Sequence, residues 1–453
     1  MSLRGRLIDR LDRDIERASD VEYPAPTPRV PKLGDCQMSE GTPQREQLVN
    51  ELVLRGIITT PAVKDAFRAV PREHFVPEFA RQTPLSEVYK DQAIPTKIDR
   101  AGRSLSSSSE PGIMALMLEC LQLQRGQRVL EIGTGTGYNA ALLSTIVGPS
   151  GSVASVEVDP ELADQARERL HENGFNVTVV HGDGRLGYDS QAPYDRIIAT
   201  ASSLTVPREW VMQLADSGLI VVPLSLSTGL IFPQVVVTFV KRGSHVESVK
   251  VIGGGFMALR RPADESVLTS PTVTALDSTG DTTRVLAELT GASLASLDTS
   301  ARSALLRVAL SDSRRSSLSF HAVGRERYNL FAFLAIAAPA NRLLSYSRND
   351  GLRPVAGISS MGIFDLEPLS LAVLAGDTDS ISGIEVFGSE VASSRLLDLV
   401  TEWRELGQPG VENFSTTVDY EVDYEPEHGL KPDWRIRQYD DGSKVSFSWI
   451  QKG

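Results

Sequence analysis

The chain has 453 residues, of which 41% are hydrophobic and 23% are charged, a balance typical of folded globular proteins. This length exceeds what a single hydrophobic core usually supports, so we expect two domains. The formal net charge of −12 opposes the concentrated basic surface that a nucleic-acid substrate would require, and no apolar run approaches the roughly 20 residues of a membrane span.

The N-terminus and the cysteines favour a cytoplasmic enzyme. Residues 1–10 contain no continuous apolar segment of the kind found in secretory signals. Cys36 and Cys120 are too few for a disulfide framework, and no spacing typical of a zinc site is present. We therefore expect no metal, no nucleic-acid partner and no membrane partner.

The first predicted elements are helical. Residues 1–42 are polar and rich in proline, which predicts a short amphipathic helix followed by a tether. Helices are predicted at 44–54 and at 61–69, the second with a proline in its first turn.

An alternation of predicted strands and helices follows and ends near a cluster of glycines at 253–255. Beyond this cluster the sequence mixes strand and helix patterns without an internal repeat. The predicted division is a polar segment at 1–42, a first domain at 43–250 and an accessory domain at 251–453.

Three alternate glycines follow a strongly apolar stretch within the first domain. Residues 129–138 read Val-Leu-Glu-Ile-Gly-Thr-Gly-Thr-Gly-Tyr, and a helix is predicted at 140–147. Glycines at this spacing let the backbone turn sharply from a strand end and approach a ligand closely. The pattern predicts a nucleotide-type pocket, although an ordinary glycine-rich turn between strand and helix is the alternative.

The spacing of these glycines also bears on the class of ligand. A dinucleotide fingerprint would place its third glycine at position 138, where this chain has Tyr138 after Gly137. Glu131 precedes the first glycine, Gly133, where it could pair with a positively charged ligand. S-adenosyl-L-methionine carries both an ammonium and a cationic sulfur, so it fits better than a pyrophosphate.

Acidic residues at the ends of the next predicted strands support this ligand. The strand at 152–158 carries Glu157 at its tip, where a ribose would present two hydroxyls, and Asp183 follows the strand at 177–180, where it could accept from an adenine amino group. A fourth strand is predicted at 194–200. The predicted cofactor-binding residues are Glu131, Gly133, Thr134, Gly135, Gly137, Tyr138, Glu157, Val158, Gly182, Asp183, Gly184 and Thr200.

Several segments together resemble the protein L-isoaspartyl (D-aspartyl) O-methyltransferase family. They are Val-Pro-Arg-Glu-His-Phe-Val-Pro at 70–77, Ser-Glu-Pro at 109–111, Gly-Asp-Gly at 182–184, Ala-Pro-Tyr-Asp-Arg-Ile-Ile-Ala-Thr-Ala at 192–201, Val-Pro at 206–207 and Gly-Leu-Ile-Val-Val-Pro at 218–223. The resemblance implies an α/β fold: a class I, Rossmann-like methyltransferase sheet with helices on both faces, followed here by a C-terminal α+β domain.

The resemblance also implies a role for Ser109. Its hydroxyl would lie beside the sulfonium and the acceptor carboxylate and hold that carboxylate by a hydrogen bond. A flexible polar loop is the alternative, because the stretch 104–109 contains five serines. Glu110 stands where the family usually has glutamine, and it would repel a carboxylate substrate unless it points away or is paired.

The expected chemistry needs little from the protein beyond positioning. Methyl transfer from a sulfonium is an in-line displacement, and a carboxylate acceptor is already ionised near neutral pH because its reference pKa is about 4. No general base is needed, and the six histidines are scattered along the sequence. Alignment of the two reactants is therefore the main requirement.

The C-terminal half contains Gly-Phe-Met at 255–257, Gly-Ile-Phe-Asp at 362–365 and a helix-like stretch at 394–406 that ends near Gly-Gln-Pro-Gly at 407–410. In these features it looks like that of an actinobacterial subgroup that accompanies pathways for ribosomally made, modified peptides such as lanthipeptides. That resemblance implies a peptide partner whose aspartate side chain is methylated and then closes to a succinimide that yields isoaspartate. A general isoaspartate repair methyltransferase with an appended domain is the alternative. A binding or scaffold protein with a degenerate pocket is the third hypothesis. The added domain would either recognise the substrate or act as a scaffold or homodimerisation module.

Overall fold

The computed structural model describes residues 41–98, 104–227, 233–261, 272–277, 284–339, 342–348, 360–376, 380–420, 435–439 and 441–449. The helix and tether predicted within the first 40 residues lie outside this part of the chain. None of the helices in the described ranges is long and apolar enough to cross a membrane.

The helices are α1 (Thr42–Leu54), α2 (Pro61–Ala69), α3 (Pro77–Gln82), α4 (Leu85–Val88), α5 (Pro111–Leu121), α6 (Tyr138–Val147), α7 (Pro160–Glu172), α8 (Arg208–Gln213), α9 (Thr299–Ala309), α10 (Arg325–Ala337) and α11 (Val391–Glu405). The strands are β1 (Ile94–Ile98), β2 (Ser104–Ser108), β3 (Arg128–Ile132), β4 (Ser152–Glu157), β5 (Thr178–His181), β6 (Tyr194–Ala199), β7 (Leu214–Ser225), β8 (Gln234–Arg242), β9 (His245–Gly253), β10 (Thr272–Asp277), β11 (Arg284–Thr290), β12 (Arg314–Val323), β13 (Leu343–Arg348), β14 (Ser360–Leu366), β15 (Leu369–Gly376), β16 (Ser380–Gly388), β17 (Phe414–Asp419), β18 (Arg435–Gln438) and β19 (Lys444–Trp449).

A ten-stranded sheet contains the glycine-rich region. Its order is β18-β19-β17-β9-β8-β7-β6-β3-β4-β5. The strands from β7 through β6, β3 and β4 to β5 are parallel, and β8 and β9 continue the sheet in antiparallel pairs. The parallel strands are rich in valine and isoleucine because helices cover both of their faces.

The strand order reverses at β3, which pairs with β4 on one side and β6 on the other. In open α/β sheets a ligand crevice forms outside the carboxyl ends of the strands at such a reversal. The glycine-rich segment leaves β3 at this point, and the predicted α/β fold class is confirmed.

The boundaries of the predicted elements shift by only a few residues. The predicted helix at 140–147 begins earlier, at Tyr138, because Gly137 adopts a left-handed conformation that ends the loop directly before it. The helices predicted at 44–54 and 61–69 are confirmed as α1 and α2. The second predicted strand ends at Glu157 rather than at Val158.

The C-terminal half forms a second sheet and also extends the first one. The second sheet is antiparallel, with the order β10-β11-β13-β14-β15-β16-β12. Strands β17, β18 and β19 join the first sheet, where β17 pairs with β9. Helix α10 is buried along most of its length and belongs to an apolar cluster that includes residues of both sheets. The division into domains at residue 250 stays a prediction.

Candidate active site

The glycine loop contains three residues without side chains, and its main chain lies close to neighbouring residues. Gly133, Gly135 and Gly137 have φ angles of 96°, 53° and 88°. A Cβ atom on Gly133 would lie 2.6 Å from Oγ1 of Thr200. That hydroxyl donates to the Gly133 carbonyl at 2.6 Å, so the loop is fixed against the end of β6. Side chains at these three positions would be strained, and at Gly133 and Gly135 they would also occupy space at the cavity wall.

Glu131 lies behind this loop rather than in the cavity. Its side chain is fully buried, and its carboxylate accepts from Asn139 Nδ2 at 2.8 Å and from the Ser155 hydroxyl at 2.5 Å. Burial raises the pKa of Glu131 to about 7, although both hydrogen bonds oppose the shift. The expected direct pairing with a ligand is therefore replaced by a contact with Asn139, which does line the cavity.

Glu157 stands at the tip of β4 and lines the cavity. Its side chain is buried, and it accepts from the backbone N–H of Gly135 at 2.8 Å and of Asp159 at 3.1 Å. The carboxylate therefore links the glycine loop to the neighbouring strand end. This is the position that the sequence predicts for a ribose ligand.

Asp183 does not line the cavity. Arg185, two residues further on, donates to its carboxylate from Nη2 at 2.5 Å and from Nε at 3.0 Å. Burial raises the pKa of Asp183, but the hydrogen bonds and charge of Arg185 outweigh it and lower the pKa below its ordinary value. The carboxylate is thus paired with Arg185, and its contact with adenine stays a prediction.

The main cavity has a volume of about 950 Å³. Of the predicted cofactor residues, those at its wall are Gly133, Thr134, Gly135, Tyr138, Glu157, Val158, Gly184 and Thr200. Glu131, Gly137, Gly182 and Asp183 are not at the wall. Gly137 instead faces α7, where an added Cβ would lie 3.3 Å from Leu170.

Ser109 lines the same cavity as the glycine loop. The serine-rich stretch before it is not a free loop, since β2 (Ser104–Ser108) pairs with β1 in an antiparallel ribbon. The main-chain oxygen of Ser109 accepts from Nη2 of the buried Arg72 at 3.0 Å. The structure therefore brings the predicted acceptor residue and the predicted cofactor loop to one cavity.

Some residues of the cavity were not predicted from the sequence. Asn139 is one, and its Oδ1 atom is buried without a hydrogen-bond partner in the described part of the chain. Further ones follow β9 or lie at the start of α10, and they include Gly254, Arg260, Arg325 and Tyr328. The glycine cluster after β9 was a visible signal, because glycines often mark close approach of the backbone. The contribution of α10 had no local signal.

Tyr328 connects α10 to the cavity wall. Its hydroxyl donates to the carbonyl of Gln234 and accepts from the N–H of Gly254 at 3.3 Å. Burial raises the pKa of Tyr328 to about 12, so its proton stays in place near neutral pH. A Cβ atom on Gly253 would lie 3.2 Å from the Tyr328 ring, which explains the glycine there.

The cavity fits S-adenosylmethionine in three respects. The glycine loop leaves room for close approach of a ligand to the backbone, and Glu157 stands at a strand tip suited to ribose hydroxyls. The unpartnered Oδ1 atom of Asn139 offers an acceptor to an ammonium group. Groups of three or more His, Cys, Asp or Glu side chains that could hold a metal ion are absent among the residues described.

Comparison with known proteins gives a consistent result. A family model described as protein-L-isoaspartate(D-aspartate) O-methyltransferase matches residues 43–259. The protein-L-isoaspartate O-methyltransferase of Ignicoccus hospitalis is 42% identical over 187 residues, which are 41% of this chain and 84% of that protein. That of Pyrobaculum islandicum is 37% identical over 217 residues, which are 47% of this chain and 98% of that protein.

A solved structure of a protein-L-isoaspartate O-methyltransferase is also similar, with 25% sequence identity and a TM-score of 0.46, over 83% of this chain and 96% of the other. The extent and identity of the sequence matches decide the assignment. The chain belongs to the protein-L-isoaspartate(D-aspartate) O-methyltransferase family and is an S-adenosylmethionine-dependent carboxyl methyltransferase.

Proposed function

We propose that the chain methylates the free carboxylate of isoaspartyl residues in proteins and peptides. The observation that carries this proposal is that Ser109 and the glycine loop line one cavity. A cofactor held by the loop and an acceptor held by Ser109 would then meet within a single site. The relatives named for this reaction match the region that contains both features.

On the cofactor side, each proposed role follows from a contact. Glu157 accepts hydrogen bonds from the ribose hydroxyls, and the backbone of Gly133 to Gly135 contacts the methionine portion. Asn139 accepts from the ammonium group, and Glu131 orients Asn139 through the hydrogen bond at 2.8 Å. We assign Val158 and Gly184, which line the cavity, to the adenine end in place of the paired Asp183.

On the acceptor side, positioning is the main task of the protein. S-adenosylmethionine supplies a methyl group on a positively charged sulfur. The Ser109 hydroxyl donates to the acceptor carboxylate and directs one of its oxygens toward that methyl group. The carboxylate is already ionised at neutral pH, so no residue has to remove a proton. The resulting methyl ester allows the following main-chain nitrogen to displace methanol and close a succinimide.

Replacement of Ser109 tests this assignment. We expect Ser109→Ala to lower kcat roughly 100-fold, as is typical for loss of one positioned hydrogen-bond donor. Cofactor affinity, measured by calorimetry, should stay within about twofold because the hydroxyl contacts the acceptor only. Ser104→Ala is the matched control, since Ser104 begins β2, the strand that ends just before Ser109, and lies outside the cavity. Equal loss of cofactor affinity in Ser109→Ala would refute the role.

A dedicated modified-peptide substrate is the second candidate function. It is favoured by one observation: Gly324, Arg325 and Tyr328 lie beyond the family match at 43–259 and still line the cavity. The C-terminal half would then recognise a lanthipeptide-like precursor and methylate its aspartate. A comparison of turnover on a linear isoaspartyl peptide and on cyclised precursor peptides separates the two functions. Strong turnover of the linear peptide contradicts the dedicated role.

We also propose a cytoplasmic enzyme in which residues 43–250 hold the cofactor and residues 251–453 contribute to acceptor recognition. The cavity residues on α10 support a recognition role over a purely structural one. A homodimerisation role for the C-terminal half makes a different prediction, namely a molecular mass in sedimentation equilibrium of twice the 49.2 kDa of one chain.

A further inference from the structure

A second cavity lies beside the main one. Its volume is about 570 Å³, and α1 and the residues around α4 supply most of its wall. Arg55 and Glu110 line both cavities, so the two spaces meet at these side chains. Glu110 directly follows Ser109, which places the second cavity within one residue of the proposed acceptor site.

Most of the charges around this second cavity are already paired. Asp91 accepts from Nη1 of Arg55 at 2.5 Å and from the N–H of Gly112 at 2.6 Å. Lys90 forms a salt bridge of 2.7 Å with Glu87. These contacts leave Arg55 and Lys90 committed to partners of their own.

Glu110 is different. Its side chain forms neither a hydrogen bond nor a salt bridge with any residue in the described ranges, and it caps no N–H of α5. Burial raises the pKa of Glu110, and the charge of Asp91 adds to this shift against the opposing effects of Arg55 and Arg72. Arg55 and Arg72 are the nearby cations, but their hydrogen bonds go to Asp91 and to main-chain carbonyls, so neither is paired with this carboxylate.

Gln44 offers a second acceptor in the same cavity. Its Oε1 atom is buried and has no hydrogen-bond partner within the described residues. A buried acceptor without a donor is unfavourable, so a ligand that brings N–H donors would be favoured there. An unpaired carboxylate and an unsatisfied amide oxygen together suit an ammonium or guanidinium group.

We propose that Glu110 and Gln44 bind the side chain of a lysine or arginine that neighbours the acceptor residue in the substrate. Glu110 is then a specificity-determining residue. Its charge disfavours an acceptor carboxylate alone and favours one that is accompanied by a cation. This inference rests on the proposed function, since it takes the acceptor to lie at Ser109.

Matched isoaspartyl peptides test this preference. The peptides differ only in one residue next to the isoaspartate, which is Lys, Gln or Glu, placed before or after it. Dissociation constants are measured on enzyme loaded with S-adenosylhomocysteine, and kcat/KM is measured with S-adenosylmethionine. We expect the native enzyme to favour the Lys peptide over the Gln peptide by about tenfold in one of the two positions, and the Glu peptide to be the weakest.

Glu110→Gln should reduce the preference for Lys over Gln to within about twofold while the protein still accepts the Gln peptide. Glu87→Gln is the matched control, because Glu87 is paired with Lys90 and lines neither cavity. It should keep the native preference. A native enzyme with equal affinity for the Lys and Gln peptides, or a Glu110→Gln variant that keeps the preference, overturns the proposal.

A salt titration, and a comparison of peptide binding with peptide methylation, distinguish failure of the Glu110 proposal from failure of the proposed function. The Lys preference of the native enzyme should fall as salt rises from 50 to 500 mM; a salt-independent preference overturns the ionic contact without any variant. If isoaspartyl peptides bind but are not methylated, the proposed function fails while the ratio of dissociation constants still decides the role of Glu110. If none of the peptides binds, both proposals fail.

Discussion

Arg72 is a fully buried cation that donates to five main-chain oxygens and to the Ser108 hydroxyl. Its guanidinium donates to the carbonyls of Val88, Lys90, Gln92, Ser108 and Ser109 at 2.8–3.3 Å. Burial lowers the pKa of Arg72 from its ordinary value. These carbonyls belong to two segments that meet at the acceptor end of the cavity. The planar fork of arginine can reach all of them, whereas an ammonium cannot.

We therefore expect Arg72→Lys to reduce turnover more than cofactor affinity. The lost hydrogen bonds should also lower the free energy of unfolding by about 2–4 kcal/mol, because carbonyl groups are left buried without donors. Urea denaturation, calorimetry with the cofactor and steady-state kinetics measure the three quantities. Arg196→Lys is the control, since Arg196 donates to the carbonyls of Leu121 and Asp195, away from the cavity. An Arg72→Lys variant with native kcat would contradict the positioning role of Arg72.

Glu131 makes the stability of the protein depend on pH. Its pKa rises from 4.5 to about 7 on folding, so between these pH values the folded chain holds more protons than the unfolded chain. The free energy of unfolding should fall as pH rises through this window, by about 3 kcal/mol in total from this residue. Chemical denaturation from pH 5 to 8 should show that decline in the native protein and lack this component in Glu131→Gln. Equal slopes of the free energy of unfolding against pH for both proteins would show that Glu131 does not titrate in this range.

The sequence alone was sufficient for some of these residues and not for others. Glu157 was proposed from its position at a strand end and Ser109 from the family resemblance; both line the cavity, and their roles stay predictions. The placement of Glu131 could not be predicted, since its partner Ser155 lies 24 residues away on the neighbouring strand. The contact of Asp183 with adenine stays a prediction; the pattern indicated a strand end but not the guanidinium of Arg185 that pairs with this carboxylate.

At the scale of elements, apolar runs and glycine positions predicted four adjacent parallel strands of the first sheet, β3, β4, β5 and β6. Apolar runs identified β3, β4 and β6, and α1 and α2 were found within two residues of their ends. The glycine loop was the decisive element, because its position after β3 fixed both the fold class and the crevice. Boundaries shifted where backbone hydrogen bonds, rather than side-chain character, decide the last residue of a strand.

The loop also yields a prediction that separates backbone strain from steric fit. Gly133 and Gly174 both have positive φ angles, but an added Cβ clashes with Thr200 only at Gly133 and meets nothing within 4 Å at Gly174. Both alanine variants should lose about 1 kcal/mol to strain. Gly133→Ala should in addition weaken cofactor binding by more than about tenfold, because the loop must move. Calorimetry on Gly174→Ala should give the native affinity for the cofactor. Native cofactor affinity in Gly133→Ala would contradict the proposal that the glycine loop binds the cofactor.

At the scale of the whole molecule, the two halves of the sequence are joined by the first sheet. Thr417 of β17 pairs with Glu247 of β9, and Tyr328 of α10 fixes the wall of the cavity. Sequence patterns predicted a separate accessory domain, and they could not reveal these contacts because pairing between distant strands leaves no local periodicity. The consequence for function is that residues outside the family match take part in the site.

The central claim is that this cavity transfers a methyl group to an isoaspartyl carboxylate. The direct test incubates the protein and methyl-labelled S-adenosylmethionine with two peptides that differ only in an isoaspartyl or aspartyl residue. We predict label on the isoaspartyl peptide that is released as methanol by mild base, as expected of an ester, with little label on the aspartyl peptide. Label that resists base, or label on the aspartyl peptide alone, would contradict the account.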